Sequence, residues 1–416
     1  MVRSKLPRLS IVPIRLWLLH FEGGANQRPV NQPIETLTVV SHVTHYRWRN
    51  RLWAYGPYGR EIDIWADLFP TVRIAAPLME AEPPGDNLPF ERSNITVIPQ
   101  ILTGGTTLGA HIGKVLLTPA LIWGLSRAMA GSDVVHVRCP GNLGLIGALI
   151  GPVWSDRLIV KYAGQWNGYP GEAASVRFQR WLLRSRWWRN GLVTVYGEWP
   201  GMPPQIVPFF TSMMSAGQVS AARAVAARKQ PGVPLELLYA GRLSVSKRVD
   251  VLLEALALLT QRGVEARVTV VGDGSESGRL RGLAERLGIG ARVTFAGAVP
   301  YEKMIEFYGQ SHCLVLPSDS EGWPKVIAEA MCHGLVCFGT ENGLIPWLLR
   351  DRGAVFPPRD AAALAGAISQ LAADPDRYRV LSRRAAEWAA EYSIEGLRKA
   401  LKELMESRWK VELRPA

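Results

Sequence analysis

The chain has 416 residues, enough for two domains, and its 48% apolar and 20% charged residues exclude a disordered or low-complexity protein. The net charge is +12, and residues 1–210 carry most of it, with 21 Lys and Arg against 13 Asp and Glu. That excess suits an anionic partner for the first half, either a membrane surface or a phosphorylated acceptor, and nucleic acid is not expected.

Residues 1–35 pair a basic start (Val2 to Arg8) with an apolar run from Leu9 to Phe21, which imitates a signal peptide. Pro13 and Arg15 interrupt the run, and it is too short to span a bilayer, so an extension is expected. Thr36 to Ser41 is the first strand. The stretch from His42 to Tyr58 reads as a loop rich in aromatic and basic side chains, among them His45 and Arg47. Loops at the carboxyl ends of strands carry ligands in doubly wound sheets, so this loop either binds an acceptor or packs its aromatics on the core. A helix over 59–68 and strands over 71–76 and 95–98 follow, then an apolar helix over 114–130 with Pro119 inside it.

Asp133 to Arg138 reads as a buried strand leading into Pro140-Gly141-Asn142. Arg138 either holds an anion there or makes a salt bridge at the strand end. After a strand over 157–163, residues 172–189 read as a helix with Arg177, Arg180 and Arg184 on one face among Trp181, Trp187 and Trp188. Such a helix fits the headgroup region of a membrane, or its tryptophans pack inward and its arginines are solvated. Strands over 193–196 and 205–207 close the first domain.

The second half alternates strands (235–240, 267–271, 292–297, 313–316, 335–338) with helices (247–261, 278–287, 300–309), a βαβ pattern that makes a parallel sheet. Helices near 360–373 and 377–391 close it, and Ile394 to Arg408 is strongly helical. The four cysteines, Cys139, Cys313, Cys332 and Cys337, show no metal-like pairing with histidine and read as buried thiols in a reducing cytosol.

The most informative stretch runs from Pro317 to Met331. A short strand leads into Glu321-Gly322-Trp323-Pro324, and a helix then carries Glu329 and stops near Gly334. The amides of Trp323, Lys325 and Val326 at the helix start suit an anion. Glu321 and Glu329 resemble the E-x7-E signature of retaining glycosyltransferases of family four. Gly241-Arg242-Leu243 with Lys247 is similar to that family's G-R-L-x-x-x-K-G loop, and Gly272-Asp273-Gly274 to its G-D-G turn. The resemblance is specific over about 235–360.

It implies an α/β GT-B fold, with two Rossmann-like doubly wound domains around a cleft. The expected division is an extension over 1–35, an acceptor domain over 36–228, a nucleotide-sugar domain over 229–393, and a helix over 394–416 returning to the first domain. The implied activity is retaining transfer of a sugar from a nucleoside diphosphate sugar to an acceptor glycan, lipid-linked intermediate or small molecule. No metal or other cofactor is expected. Arg242, Lys247 and Glu321 are the implied catalytic residues. The implied donor site adds Gly241, Gly272, Gly274, Gly322, Trp323, Lys325, Val326 and Glu329, and the acceptor side takes His45, Arg47, Arg138 and Asn142.

Two departures stand out: Arg138 occupies the second histidine position of the family's H-x-H, and Pro324 stands where glycine is frequent, leaving Lys325 and Val326 to supply the phosphate amides. The alternatives are a nucleotide-sugar epimerase or hydrolase, or a non-catalytic sugar-nucleotide binding protein. A nicotinamide dehydrogenase does not fit, because no G-x-G-x-x-G follows the first strand. The implied place of work is the cytoplasm, either free or at the inner membrane face.

Overall fold

The computed structural model describes residues 34–101, 108–169, 171–212 and 214–414, with side chains omitted over 108–116. The extension expected over residues 1–35 lies almost wholly outside the described residues. In chain order the first half contains β1 (Thr36–Val40), β2 (His45–Trp48), β3 (Arg51–Tyr55), α1 (Gly56–Leu68), β4 (Thr71–Ala76), β5 (Leu78–Met79), β6 (Asn87–Pro89) and β7 (Ile95–Pro99). It continues with α2 (Leu108–Met129), β8 (Val134–Cys139), α3 (Asn142–Trp154), β9 (Leu158–Tyr162), α4 (Ala174–Arg184), β10 (Leu192–Tyr196), β11 (Ile206–Phe209) and α5 (Ala216–Ala226).

The second half contains β12 (Leu235–Ala240), α6 (Val249–Gln261), β13 (Ala266–Val271), α7 (Ser277–Arg286), β14 (Val293–Gly297), α8 (Tyr301–Gln310), β15 (Cys313–Leu316) and α9 (Lys325–Cys332). β16 (Val336–Thr340), α10 (Ile345–Leu349), β17 (Gly353–Phe356), α11 (Ala361–Ala372), α12 (Pro375–Ala389) and α13 (Ile394–Trp409) complete it.

Two parallel sheets organise these elements. The first has seven strands in the order β11-β10-β9-β8-β1-β4-β7, and the second has six in the order β14-β13-β12-β15-β16-β17. Both are doubly wound, so the chain reverses direction between β1 and β8 in one and between β12 and β15 in the other. Ligands of such sheets bind outside the carboxyl ends of the strands at these reversal points. The central strands are largely apolar, apart from His136, Arg138 and Lys161, and are buried along their whole length in β8, β9, β15 and β16, as sheets covered on both faces require.

Three expectations change. Residues 42–58 are not a loop: β2 and β3 form a hairpin in a small four-stranded sheet with β5 and β6, and α1 begins at Gly56. Its two-residue turn, Arg49-Asn50, has φ of 47° and 57°, the backbone that matches strand twist. The helix expected over 172–189 ends at Arg184. There Ser185 leaves helical geometry and its hydroxyl accepts from the Trp187 amide, starting a 3-10 turn over Arg186–Trp188. α10 and β17 are too short to leave a periodic signature, and the second sheet gains an edge strand.

The last helix returns to the first domain. Arg398 on α13 pairs with Asp67 of α1 at 2.9 Å, and Arg408 donates to the Arg189 carbonyl at 3.2 Å. Leu397, Leu401, Leu404 and Met405 form its buried face. No helix among the described residues is long and apolar enough to cross a membrane. Leu401→Ala should lower stability by about 2–5 kcal/mol in urea unfolding. Lys399→Ala on the exposed face should stay within about 0.5 kcal/mol of wild type. Equal effects would mean that α13 is not docked.

Candidate active site

The second domain's reversal point is shaped by glycines. β12 ends at Gly241 (φ 154°), whose amide donates to Val271, and the Leu243 amide donates to Asp273. β13 ends at Gly272 (φ 131°), where a Cβ would stand 2.0 Å from the Gly241 carbonyl oxygen. At Gly274 (φ 159°) a Cβ would stand 2.3 Å from the Leu243 oxygen. These backbones approach too closely for any side chain, so the Gly241–Ser244 and Gly272–Gly274 loops nest together. Arg248 closes the loop with φ 51°, a conformation that favours glycine, and its guanidinium pairs with Asp250 at 3.0 Å.

The loop after β15 completes this floor. The Asp319 amide donates to Ser246, and the Lys247 ammonium lies 2.5 Å from the Glu321 carboxylate, so two of the expected site residues form an ion pair. α9 starts after Pro324 as expected, and Gly334 at its end has φ 78°. Glu329, one turn inside α9, is buried. Burial raises its pKa, against the hydroxyl of Tyr308 donating at 2.8 Å and the nearby charges of Lys325 and Arg60. The indole of Trp323 is buried against Tyr196, Trp388 and Tyr392, with ring centroids 5.5–6.4 Å apart.

The first domain faces this floor with a buried charge cluster. Glu61 on α1 receives Arg138 from the end of β8 at 2.6 Å and Lys161 from β9 at 2.7 Å. Burial pushes the Glu61 carboxyl up, but the two cations outweigh it and hold it well below the usual carboxylate range. Arg138 also lies 4.8 Å above the ring of Tyr58. Lys325 of α9 belongs to the same cluster: burial and the charge of Lys161 lower its pKa to about 8, only partly offset by Glu61 and Glu329. His136, its ring tilted against that of Trp65 at 4.4 Å, is held neutral by burial and by Arg138, with a pKa of about 3.

The domains touch around this cluster. A Cβ on Gly322 would lie 2.9 Å from the Ala163 carbonyl, and Ser320 hydrogen-bonds Gln165 at 3.0 Å. Arg60 of α1 lies 4.6 Å over the ring of Tyr301 in the second domain.

The expected acceptor residues divide. Arg138 is in the cluster, as a salt-bridged strand-end residue, and Asn142 starts α3 at the carboxyl end of β8. His45 does not fit an acceptor contact: it is fully buried between Tyr58 and Phe90, and burial lowers its pKa to about 4. Arg47 is spent near the hairpin turn on Glu80, at 2.7 Å. Glu61, Lys161, Arg60 and Tyr301 were not expected at the site. Lys161 had a readable signal, a single charge inside the apolar strand Leu158–Tyr162. The others show nothing in local sequence. Among the described residues no group of three or more His, Cys, Asp and Glu converges as a metal site would.

Two facing, doubly wound parallel sheets with the crevice at their reversal points define the GT-B fold, and solved structures agree. Sucrose-phosphate synthase from Thermosynechococcus elongatus superposes with a TM-score of 0.66 at 19% identity, over 90% of this chain and 99% of that one. The Anabaena protein HepE, solved in complex with UDP, superposes with a TM-score of 0.63 at 16% identity, over 90% of this chain and all of that one. Residues 224–388 match the family described as glycosyl transferases group 1. D-inositol 3-phosphate glycosyltransferase of Acidothermus cellulolyticus is 30% identical over 250 residues, 55% of this chain and 54% of the relative. That of Nocardia farcinica is 34% identical over 172 residues, 39% of this chain and 38% of the relative. The chain thus spans about half, or less, of the length of these relatives.

Lys325 makes the site pH-sensitive. An unfolded lysine titrates near about 10.4, so between pH 8 and pH 10 the folded state releases a proton that the unfolded chain keeps, and stability rises with pH. Replacing it by Lys325→Met should remove that rise. The stability gap between variant and wild type in urea unfolding should change by on the order of 3 kcal/mol from pH 7 to pH 10. A constant gap would mean that Lys325 stays charged throughout.

Proposed function

We propose that the protein is a retaining, metal-independent glycosyltransferase that moves a sugar from a nucleoside diphosphate sugar to an acceptor hydroxyl, working in the cytoplasm at the inner membrane face. What supports the reading is that Arg242 lies on the glycine-shaped loop at the reversal point of the second sheet, that Lys247 pairs with Glu321 beside it, and that α9, which carries Glu329, starts just after. A diphosphate suits that floor: close backbone approach, two cations, and a helix N-terminus.

In this reading Arg242 and Lys247 stabilise charge as it grows on the leaving diphosphate. Lys247 exchanges the Glu321 carboxylate for phosphate, which frees Glu321 to accept from a sugar hydroxyl. Glu329 accepts from the ribose hydroxyls. The bond from the anomeric carbon to the phosphate oxygen breaks, the acceptor oxygen attacks the same face, and its proton passes to the leaving phosphate. No protein nucleophile is required. The acceptor is a glycan, a lipid-linked intermediate or a small molecule, and binds on the first-domain side near Arg138 and Asn142.

Thermal stabilisation by UDP, GDP, ADP and TDP in parallel identifies the base, since a ligand of the folded state raises stability by mass action. HepE's complex makes UDP the first to try. Arg242→Ala and Glu329→Ala should each weaken the stabilising nucleotide tenfold or more, because a hydrogen bond to a charged group contributes roughly 1.5–3 kcal/mol. Transfer should be lost with the fold intact. Wild-type turnover in either variant would refute the assignment. Product anomeric configuration, read by NMR, tests retention, and undiminished activity in EDTA tests metal independence. Sugar release without acceptor would favour a hydrolase, and nucleotide binding without turnover would favour a non-catalytic protein.

A further inference from the structure

The first domain leaves large apolar side chains uncovered on one flank. α2 packs beside α3, and α3 beside α4. Trp187, just past α4, donates its indole N–H to the Leu149 carbonyl at 3.0 Å and so lies across α3. On the outer face of these helices Trp123 is 71% exposed, Val153 70%, Trp181 62% and Trp187 52%, with Phe178 and Trp154 beside them. Phe178 and Trp181 stack at 5.4 Å. Isolated exposed apolar residues are ordinary, but several large ones on neighbouring helices of one flank mark an interaction surface.

Charge narrows the partner. Residues 173–189 carry five arginines and no acidic residue, and neither α2 nor α3 contains an Asp or Glu. Arg177, Arg184, Arg186 and Arg189 are exposed around the aromatics. Arg180 is not among them, since it turns inward to an ion pair with buried Glu172, so the one-sided basic stripe expected from the sequence is instead an aromatic face with a basic rim. A second copy of this chain would bring like charges together across a two-fold axis. Residues 1–33 are also basic, with five Lys and Arg against one acid, and so do not complement the rim. Tryptophan indoles with arginines beside them are the chemistry of a lipid headgroup region.

We propose that the outer face of α2, α3 and α4 is the surface by which the protein lies on an anionic lipid leaflet, with Trp123, Trp181 and Trp187 inserted and the arginine rim at the phosphates. This rests on the membrane-face reading above and names the surface that performs it. Trp123, Val153, Trp154 and Trp187 lie in or just past the later turns of their helices, ahead of the next strands, so the face runs along the flank of the first domain toward the amino ends of its strands.

Flotation of the full chain with phosphatidylcholine vesicles, with or without phosphatidylglycerol, tests this. Binding is expected to the anionic vesicles and to fall with salt. The double variant Trp123→Ala/Trp181→Ala should lose at least tenfold in partition with an unchanged melting temperature, since both side chains are largely in water. Arg177→Glu/Arg186→Glu should abolish the preference for anionic vesicles. Undiminished binding by the tryptophan variant would overturn the proposal, as would absence of vesicle binding. So would a dimer that the tryptophan variant dissociates, which would make the face a self-association surface. Nucleotide binding by the wild type separates the two readings: nucleotide bound without vesicle binding removes only the surface, whereas vesicle binding without nucleotide binding removes only the transferase.

Discussion

The cleft depends on one buried carboxylate. Glu61 holds Arg138 and Lys161 side by side at the top of the first sheet, and without it two cations would be buried unpaired. Removing one partner of a buried ionic set costs about 3–5 kcal/mol, more than the set adds over a well-packed apolar core. The cluster is therefore weak evidence for stability and stronger evidence for a required charge pattern. It sits where the chain reverses direction, in reach of α9 from the other domain, where burial, and after it the charge of Lys161, lowers the pKa of Lys325 against the opposing charge of Glu61. Residues of the first domain thus act on a residue at the proposed phosphate end of the second domain.

The two halves of the site are built on different physics. On the second-domain side the shape comes from backbone contact: Gly241, Gly272 and Gly274 stand where a side chain would strike a carbonyl, and the floor is rigid because nothing else fits. On the first-domain side the shape comes from long side chains meeting in burial. Backbone geometry of the first kind suits a phosphate, which is the same in every donor. Side-chain geometry of the second kind changes with single substitutions, as Arg138 in place of histidine illustrates, and suits the partner that varies.

That difference also decides what was legible in the sequence. Glycine-shaped loops leave contiguous motifs, so Arg242, Lys247, Glu321 and Glu329 were readable with their strands and helices, and the βαβ alternation gave the architecture. The charge cluster was not readable as a unit, because Glu61, Arg138 and Lys161 lie 77 and 100 positions apart in pairing and only the sheet order joins them. The hairpin over 45–55 was missed because its turn is Arg49-Asn50 and lacks the usual glycine, and His45 looked functional only while its segment looked like a loop. Arg180 was placed correctly on its helix, but helical spacing does not reveal a carboxylate waiting behind it at Glu172.

The Lys247–Glu321 pair is a local solution to two charges in one crevice. Each is a partly buried charge that would be costly to leave unmatched, and each is matched by the other. A diphosphate sugar that arrives with an anion for the lysine and hydroxyls for the glutamate replaces one satisfied arrangement by another. The new contacts offset the cost of parting the ion pair. A lone phosphate offers the lysine a partner but leaves the glutamate unmatched. On the proposed function, this ion pair favours a ligand that carries both groups over free phosphate.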